Sequence, residues 1–191
     1  GVQTCALPIY HVFPGGWMWV LRFNHGITSA GFALCSKHGA AGTPGDPRAL
    51  WRESLARFPS LAAQFAAAEP VEPLYHLPGM AFRSNRVAGP DWIVLPGAAG
   101  FVDPLLSTGF PLALMGLERL ANHWQKAGLS VDVPGYVEAT HTELEVTARL
   151  INALYLSFHD FPRFQTLAML YFVAASYSET ARRLGRPGLA D

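Results

Sequence analysis

The sequence has few charged residues and no excess of either sign. Charged residues make up 15% of the 191 positions, and the formal net charge is +0. Because a surface that binds nucleic acid needs clustered lysine and arginine, this balance argues against nucleic acid as a partner. Half of the residues are hydrophobic, a share that suits a packed core and excludes a disordered chain.

Long apolar runs and cysteines are also scarce. The most apolar predicted helix, residues 164–178, is shorter than the roughly 20 residues needed to span a bilayer. We therefore predict a buried helix there and no membrane span. The two cysteines, Cys5 and Cys35, have the spacing of neither a disulfide framework nor a metal site, so a reducing, cytoplasmic setting is the default expectation.

Several motifs that would identify an enzyme directly are missing. No G-x-G-x-x-G fingerprint lies between a strand and a helix, since the glycines of residues 39–45 have neither that spacing nor that setting. The nucleophile motif G-x-S-x-G is also absent. A single E-x-x-H pair, Glu138 and His141, falls short of the two pairs that di-iron bundles use, so we expect no metal site.

The first nine residues, GVQTCALPI, resemble the translated sequence of a sequencing-library adaptor. We therefore expect residues 1–9 to be non-native and the part of the gene before Tyr10 to be missing. The stretch has neither the charged nor the apolar region of a signal peptide.

The pattern that is present combines strands and helices. Strand-like runs at 17–23 and 27–35 flank Asn24-His25-Gly26, which is typical of a hairpin turn. Short strands are further predicted at 74–77, 82–87 and 92–95.

Helical spacing of apolar residues predicts the remaining elements. A helix over 48–68 begins after Asp46 and is divided by Pro59. Another over 111–126 ends at Gly128, and its apolar front half predicts burial. After Pro134 two more helices follow, separated by Pro162, and the second ends near residue 183. One face of the first carries Tyr136, Thr140, Leu144, Ala148, Ile151, Tyr155 and Phe158.

These elements predict an α+β fold. A mostly antiparallel sheet with a helical insertion occupies 10–95, a loop and helix occupy 96–129, and a helical C-terminal subdomain occupies 130–191.

The most informative stretch is 97–114, GAAGFVDPLLSTGFPLAL. Small residues allow the backbone to approach a flat ring, and a helix start offers free N–H groups to negative charge. The residue types alone are equally typical of a plain strand-to-helix turn.

As an ordered motif, the stretch resembles the second flavin-contacting motif of FAD-dependent monooxygenases of the aromatic-hydroxylase and tryptophan-halogenase type. Residues 16–21, GWMWVL, are similar to the W-x-W-x-I-P signature of the halogenases: Trp17 and Trp19 match, and Arg22 replaces the proline. Alternate positions on a strand place both indoles on one face. A substrate role and simple packing of the sheet both remain open for them.

The resemblance implies FAD as cofactor, a small organic substrate, and a flavin reductase or NAD(P)H as electron source. It also implies that the missing N-terminal half holds the dinucleotide-binding domain and that this fragment alone is inactive. Asp103-Pro104 would shape the loop, and Ser107-Thr108 is the place where halogenases hold halide near the ring. Trp17 and Trp19 would contact substrate, no catalytic residue is assigned, and the cofactor contacts would be Gly97, Ala98, Asp103, Pro104, Leu105, Ser107, Thr108 and Gly109.

Two departures from the family pattern matter. Pro96-Gly97 stands where relatives carry a Gly-Asp pair, the aspartate of which binds the ribityl chain. Losing that hydrogen bond would cost roughly 1.5–3 kcal/mol of cofactor binding unless another group replaces it. Leu106 stands where tryptophan halogenases place a glutamate, so we expect an activity other than tryptophan halogenation. The alternative to an FAD-dependent monooxygenase is a non-enzymatic relative that keeps the fold as an apolar-ligand binding or scaffold module.

The motif also predicts a local geometry. The N–H groups after Thr108 should face an open cleft sized for a tricyclic ring, with Leu105 and Leu106 on its wall. Gly109 should adopt a conformation or an approach distance that a side chain would obstruct.

Overall fold

A computed structural model describes residues 9–35 and 46–186. Residues 1–8, most of the adaptor-like start and Cys5 among them, lie outside the described residues, as do the glycines of 39–45 and residues 187–191. The chain divides into two compact units, Gly1–Pro78 and Gly79–Asp191. The predicted segments 10–95, 96–129 and 130–191 do not share a boundary with this division.

The first unit is built on a three-stranded antiparallel sheet in the order β1 (Ile9–Phe13), β2 (Gly16–Arg22) and β3 (Thr28–Leu34). The predicted hairpin between β2 and β3 is confirmed: the Phe23 N–H donates to the Ile27 carbonyl at 2.9 Å, and Gly26 supplies the positive φ of 86°. Strand β1 was not predicted from the sequence, and Ile9 at its start pairs with Val20.

Two helices, α1 (Pro47–Ala56) and α2 (Pro59–Gln64), complete this unit. Asp46 caps α1 by accepting the Arg48 N–H at 3.1 Å, and Pro59 separates the helices as predicted. The helices pack on one face of the sheet, where Phe13, Met18, Leu55 and Leu61 are buried together.

The second unit opens with a correction to the predicted strands. Of the strand predicted at 82–87, only β4 (Phe82–Arg83) forms, and it pairs with β5 (Gly100–Phe101). The run at 92–95 forms no strand, and neither does 74–77 in the first unit. Ile93 makes an isolated bridge with Ala88, and Pro96 then begins the single-turn helix α3 (Pro96–Ala99). Beyond this bridge, no segment among the described residues pairs with 92–95 as a strand. The apolar run therefore leads into the helical turn of α3.

Three long helices follow: α4 (Gly109–Ala127), α5 (Tyr136–Leu156) and α6 (Phe161–Arg183). Their predicted positions are confirmed, as is the end of α4 at Gly128, which has a φ of 77°. Most of the predicted inward face of α5 is buried, namely Tyr136, Thr140, Leu144, Ile151 and Phe158.

Two burial predictions are wrong. The front of α4 buries only one side, since Leu112 and Gly116 are buried whereas Leu114 and Leu117 are exposed. Only Ala181 of α6 is buried, and its large apolar side chains Met169, Leu170, Phe172, Val173 and Tyr177 are exposed. The apolar composition of a helix therefore did not predict how much of its surface is buried by the rest of the described residues.

The core of this unit joins α4 and α5 to the segment before them. Val87, Ala99, Leu112, Leu120, Tyr136 and Leu144 are buried together there. The Tyr136 hydroxyl donates to the Val94 carbonyl at 2.9 Å, and burial raises the pKa of this phenol. An ion pair between Arg119 and Glu143 also links the two helices.

The architecture is α+β, as predicted, with antiparallel sheets and a helical C-terminal part. Among the helices of the described residues, none combines the length and apolar character needed to cross a membrane.

Candidate functional site

The loop between β5 and α4 is fixed by the carboxylate of Asp103. Its Oδ1 accepts the backbone N–H of Leu105 at 2.8 Å, and its Oδ2 accepts the Tyr155 hydroxyl of α5 at 2.8 Å. A carboxylate engaged in this way holds the loop against the neighbouring helix. These contacts confirm that Asp103 shapes the loop.

The loop then passes through an unusual backbone conformation. Leu106 and Ser107 have φ values of 59° and 54°, in the left-handed region that L-residues disfavour by about 1–2 kcal/mol each. The Ser107 N–H donates to the Pro104 carbonyl at 3.0 Å and closes the turn. The sequence carried no signal for this conformation, because neither residue is a glycine or asparagine.

Helix α4 starts without a side-chain cap. Thr108 occupies the N-cap position but makes no capping hydrogen bond, and the first turn contains no acidic residue. The first N–H groups of a helix have no acceptor within the helix, and its N-terminus carries partial positive charge. This end of α4 therefore offers hydrogen-bond donors to an electron-rich or anionic group.

A cleft of about 360 Å³ lies at this helix start. Its volume falls in the range of about 300–1,000 Å³ that is typical of small-molecule sites. The walls are largely apolar, and Asp103 is the one ionisable group in the lining. Of the predicted site residues, the cleft is lined by Gly97, Asp103, Pro104, Ser107, Thr108 and Gly109.

Two other predicted site residues lie elsewhere. Leu105 is buried with 1% of its surface exposed, and Ala98 is exposed on α3; neither lines the cleft. Leu106 is also absent from the lining, so the expectation that Leu105 and Leu106 form the wall of the cleft is wrong. The tight turn at Leu105–Ser107 places Leu105 in the protein interior. A cofactor contact for Leu105 or Ala98 stays a prediction.

The space around Gly109 also differs from the expectation. A Cβ built on this residue would meet only the Phe101 ring, at an ordinary 3.9 Å, and a Cβ on Gly97 would meet nothing within 4 Å. Protein neighbours do not obstruct a side chain at either position. Both glycines instead leave open space in the cleft.

The aromatic strand lies in the first unit. Trp17 and Trp19 share one face of β2 as predicted, with ring centroids 5.8 Å apart. Trp17 is buried beside Tyr10, and the Trp19 indole N–H donates to Ser29 Oγ at 3.3 Å. These contacts account for packing of the sheet, and a substrate role for either indole stays a prediction.

Helix α5 contributes residues that sequence reasoning did not assign to the site. Leu144 and Thr147 line the cleft, and Tyr155 holds Asp103. Helical periodicity placed Leu144 and Tyr155 on an inward face, but it could not indicate which part of the fold that face would meet. Phe101, Phe110 and Leu112 complete the apolar walls.

Of the E-x-x-H pair, His141 makes a contact, through its backbone carbonyl, with the side chain of Arg83. The nearby Glu145 pairs with Arg149 and Arg83, which lower the pKa of its carboxyl group. Across residues 9–35 and 46–186, no group of three or more His, Cys, Asp and Glu side chains is placed to hold a metal ion.

Comparison with protein families identifies relatives of this chain. The family model for tryptophan halogenases matches residues 11–160. The chain is 29% identical over 180 residues to monodechloroaminopyrrolnitrin halogenase PrnC of Pseudomonas fluorescens, a match that covers 86% of this chain and 31% of the relative. It is 27% identical over 178 residues to tetracycline 7-halogenase of Kitasatospora aureofaciens, covering 87% of this chain and 32% of that protein.

Solved structures give the same fold. The crystal structure of halogenase PltM in complex with phloroglucinol and FAD superimposes with a TM-score of 0.78 at 23% identity, covering 91% of this chain and 36% of PltM. The chain thus spans about a third of the length of the relatives that it matches.

Proposed function

The chain belongs to the tryptophan halogenase family, and we propose that it forms the flavin-contacting part of an FAD-dependent, halogenase-like monooxygenase that acts on an aromatic or other apolar organic substrate. The observation that carries this proposal is the cleft at the uncapped start of α4, lined by Ser107, Thr108 and Gly109. The halogenase relatives support it, since PltM binds both FAD and the aromatic molecule phloroglucinol.

The lining of the cleft fits a flavin ring. Gly97 and Gly109 leave open space for a flat group, and Phe101, Phe110 and Leu112 offer apolar contact to its faces. The hydroxyl and N–H groups at the start of α4 offer hydrogen bonds to a polar edge. When bound, FAD supplies the oxygen chemistry, whereas the protein supplies position and electrostatics.

Each part of the site has a definable task in this proposal. The N-terminus of α4 favours negative charge on the polar edge of the ring, as it would any anion. Asp103 is already engaged by Leu105 and Tyr155, so its task is to hold the loop that shapes the cleft. Trp17 and Trp19 remain our candidates for substrate contact, and a flavin reductase or NAD(P)H our candidate source of electrons.

The test uses the full-length protein and two variants of the cleft. Gly109→Leu should abolish FAD uptake while the protein stays folded, since a side chain enters the cleft with only Phe101 nearby. Thr108→Val keeps the shape and removes the hydroxyl, so it should weaken FAD binding without unfolding. Ala121→Leu, on an exposed position of the same helix, is the matched control and should retain FAD.

FAD occupancy is measured by flavin absorbance after purification and after incubation with excess FAD. Full occupancy in Gly109→Leu would show that the loop is structural and would remove the proposed site. A full-length wild type that is colourless and takes up no FAD would overturn the proposal and favour the non-enzymatic binding module, which Pro96-Gly97 and Leu106 already favour. Turnover is then sought with reduced flavin, oxygen, halide and phenolic substrates.

A further inference from the structure

Helix α5 contributes one hydroxyl-bearing residue, Thr147, to the lining of the cleft. Thr147 lines the cleft although it lies 39 positions after Thr108, and its residue surface is only 8% exposed. Leu144, one turn earlier, lines the same wall and packs so closely that a Cβ on Gly100 would come within 2.8 Å of its Cδ1. Helix α5 therefore packs closely against β5 at this wall of the cleft.

The Thr147 hydroxyl makes no hydrogen bond with residues 9–35 and 46–186, and its oxygen is not among their fully buried unpartnered side-chain atoms, which belong to His11, Thr140 and His141. Other threonines of the long helices, Thr166 and Thr180, donate to the carbonyl four residues earlier, at 2.9 and 2.8 Å. The Thr147 hydroxyl oxygen is therefore open to the space of the cleft instead of being bonded within its own helix. A molecule bound in the cleft can accept a hydrogen bond from this hydroxyl.

We propose that Thr147 is a cofactor-binding residue whose hydroxyl donates a hydrogen bond to an oxygen of the flavin portion of FAD. The acceptor is either a carbonyl oxygen of the ring or a hydroxyl of the ribityl chain, which present the same chemistry to the Thr147 Oγ1. The inference rests on the proposed function, because it takes FAD as the occupant of the cleft. It adds α5 as a second binding element beside the loop at the start of α4.

Helix α5 provides a matched control. Thr140 lies two turns before Thr147 on the same helix, is fully buried, and does not line the cleft. Thr140→Val therefore changes the same chemical group in the same helix without reaching the cofactor. Thr147→Ser keeps the hydroxyl and tests whether that group, and not the methyl, is what matters.

The experiment measures the Kd of FAD for the full-length protein by quenching of flavin fluorescence. We expect Thr147→Val to weaken binding by about three- to tenfold, the loss of one neutral hydrogen bond, and to shift the visible absorption band of bound flavin. Thr147→Ser and Thr140→Val should stay within about twofold of wild type. The unfolding midpoint of the FAD-free Thr147→Val variant should be no lower than that of the wild type.

Titration with lumiflavin, which has the ring but no ribityl chain, identifies the acceptor. A penalty that persists with lumiflavin assigns it to the ring, and a penalty seen only with FAD assigns it to the ribityl chain. Wild-type affinity for FAD in Thr147→Val, or an equal loss in Thr140→Val, would overturn the inference while leaving the proposed function in place. Failure of the wild type to bind FAD would overturn both.

Discussion

Asp103 shows how one residue can shape a site without taking part in its chemistry. A carboxylate beside apolar walls is costly unless its oxygens accept hydrogen bonds. Leu105 and Tyr155 satisfy Asp103 from two directions, one local and one from a distant helix. The loop conformation therefore depends on a contact between residues 52 positions apart.

We predict that Tyr155→Phe destabilises the second unit and weakens FAD binding together. Removal of the hydroxyl deprives Asp103 of one donor, and the expected cost is about 1–2 kcal/mol in the free energy of unfolding. Urea denaturation followed by circular dichroism measures it. Tyr177→Phe, which alters an exposed tyrosine on α6, should be neutral. Equal unfolding midpoints for the Tyr155 variant and wild type would contradict the prediction.

Leu106 and Ser107 show a second feature at this scale. Two consecutive left-handed residues cost free energy that the fold must offset elsewhere, and such conformations concentrate at functional sites. Here the offset comes from the hydrogen bonds that close the turn and from the buried side chain of Leu105. The strain lies directly before the helix start that forms the cleft.

At the scale of elements, the cleft depends on how closely α4 packs against α3. Gly116 makes this approach possible, because a Cβ there would lie 2.5 Å from the Cδ and Cγ atoms of Pro96 and 3.3 Å from the Tyr136 hydroxyl. Pro96 is a rigid ring at the start of α3 and cannot rotate away. The glycine in the middle of α4 is therefore required by packing, although it weakens the helix itself.

Gly116→Ala should therefore destabilise the protein by about 1–3 kcal/mol, despite the higher helix propensity of alanine. The control is Gly97→Ala, where the added methyl group meets nothing within 4 Å and should not lower stability. Thermal unfolding of both variants, monitored at 222 nm, makes the comparison. A Gly116→Ala protein as stable as Gly97→Ala would show that α4 adjusts at no cost.

At the scale of the molecule, the chain is two compact units joined through an exposed segment. No helix or strand lies between the end of α2 and the start of β4. Within this segment Tyr75 and Leu77 are 84% and 70% exposed. Exposed segments without regular structure are the preferred sites of proteolytic cleavage.

Limited digestion of the 191-residue chain with chymotrypsin should therefore cut first after Tyr75, since Pro78 protects the bond that follows Leu77. Mass spectrometry of the early products identifies the site. Tyr136, which is fully buried in α5, should be cut only after the second unit unfolds. A first cut inside β2 or α5 would contradict the prediction, because it would mean that a compact unit opens to the protease more readily than the exposed segment.

The local elements of the fold can be read from the order of the amino acids. Prolines, caps and periodicity fixed the helices α1, α2, α4, α5 and α6 and the hairpin of β2 and β3, because those signals act between residues a few positions apart. The ordered motif at 97–114 also identified the loop and helix start that line the cleft. Sequence reasoning was wrong where the outcome depends on neighbours, as for the strands expected at 74–77 and 92–95 and the burial of α6.

The residues that meet at the site become evident from the packing of the folded chain. Leu105 was expected on the cleft wall and lies in the interior. Thr147 lines the cleft and Tyr155 bonds to Asp103, although both belong to a helix that begins at Tyr136. The open space at Gly109 and the left-handed turn at Leu106 likewise had no signal in the sequence. The physical reason is that hydrophobic burial is not directional: periodicity shows that a face is buried, and only packing shows what it is buried against.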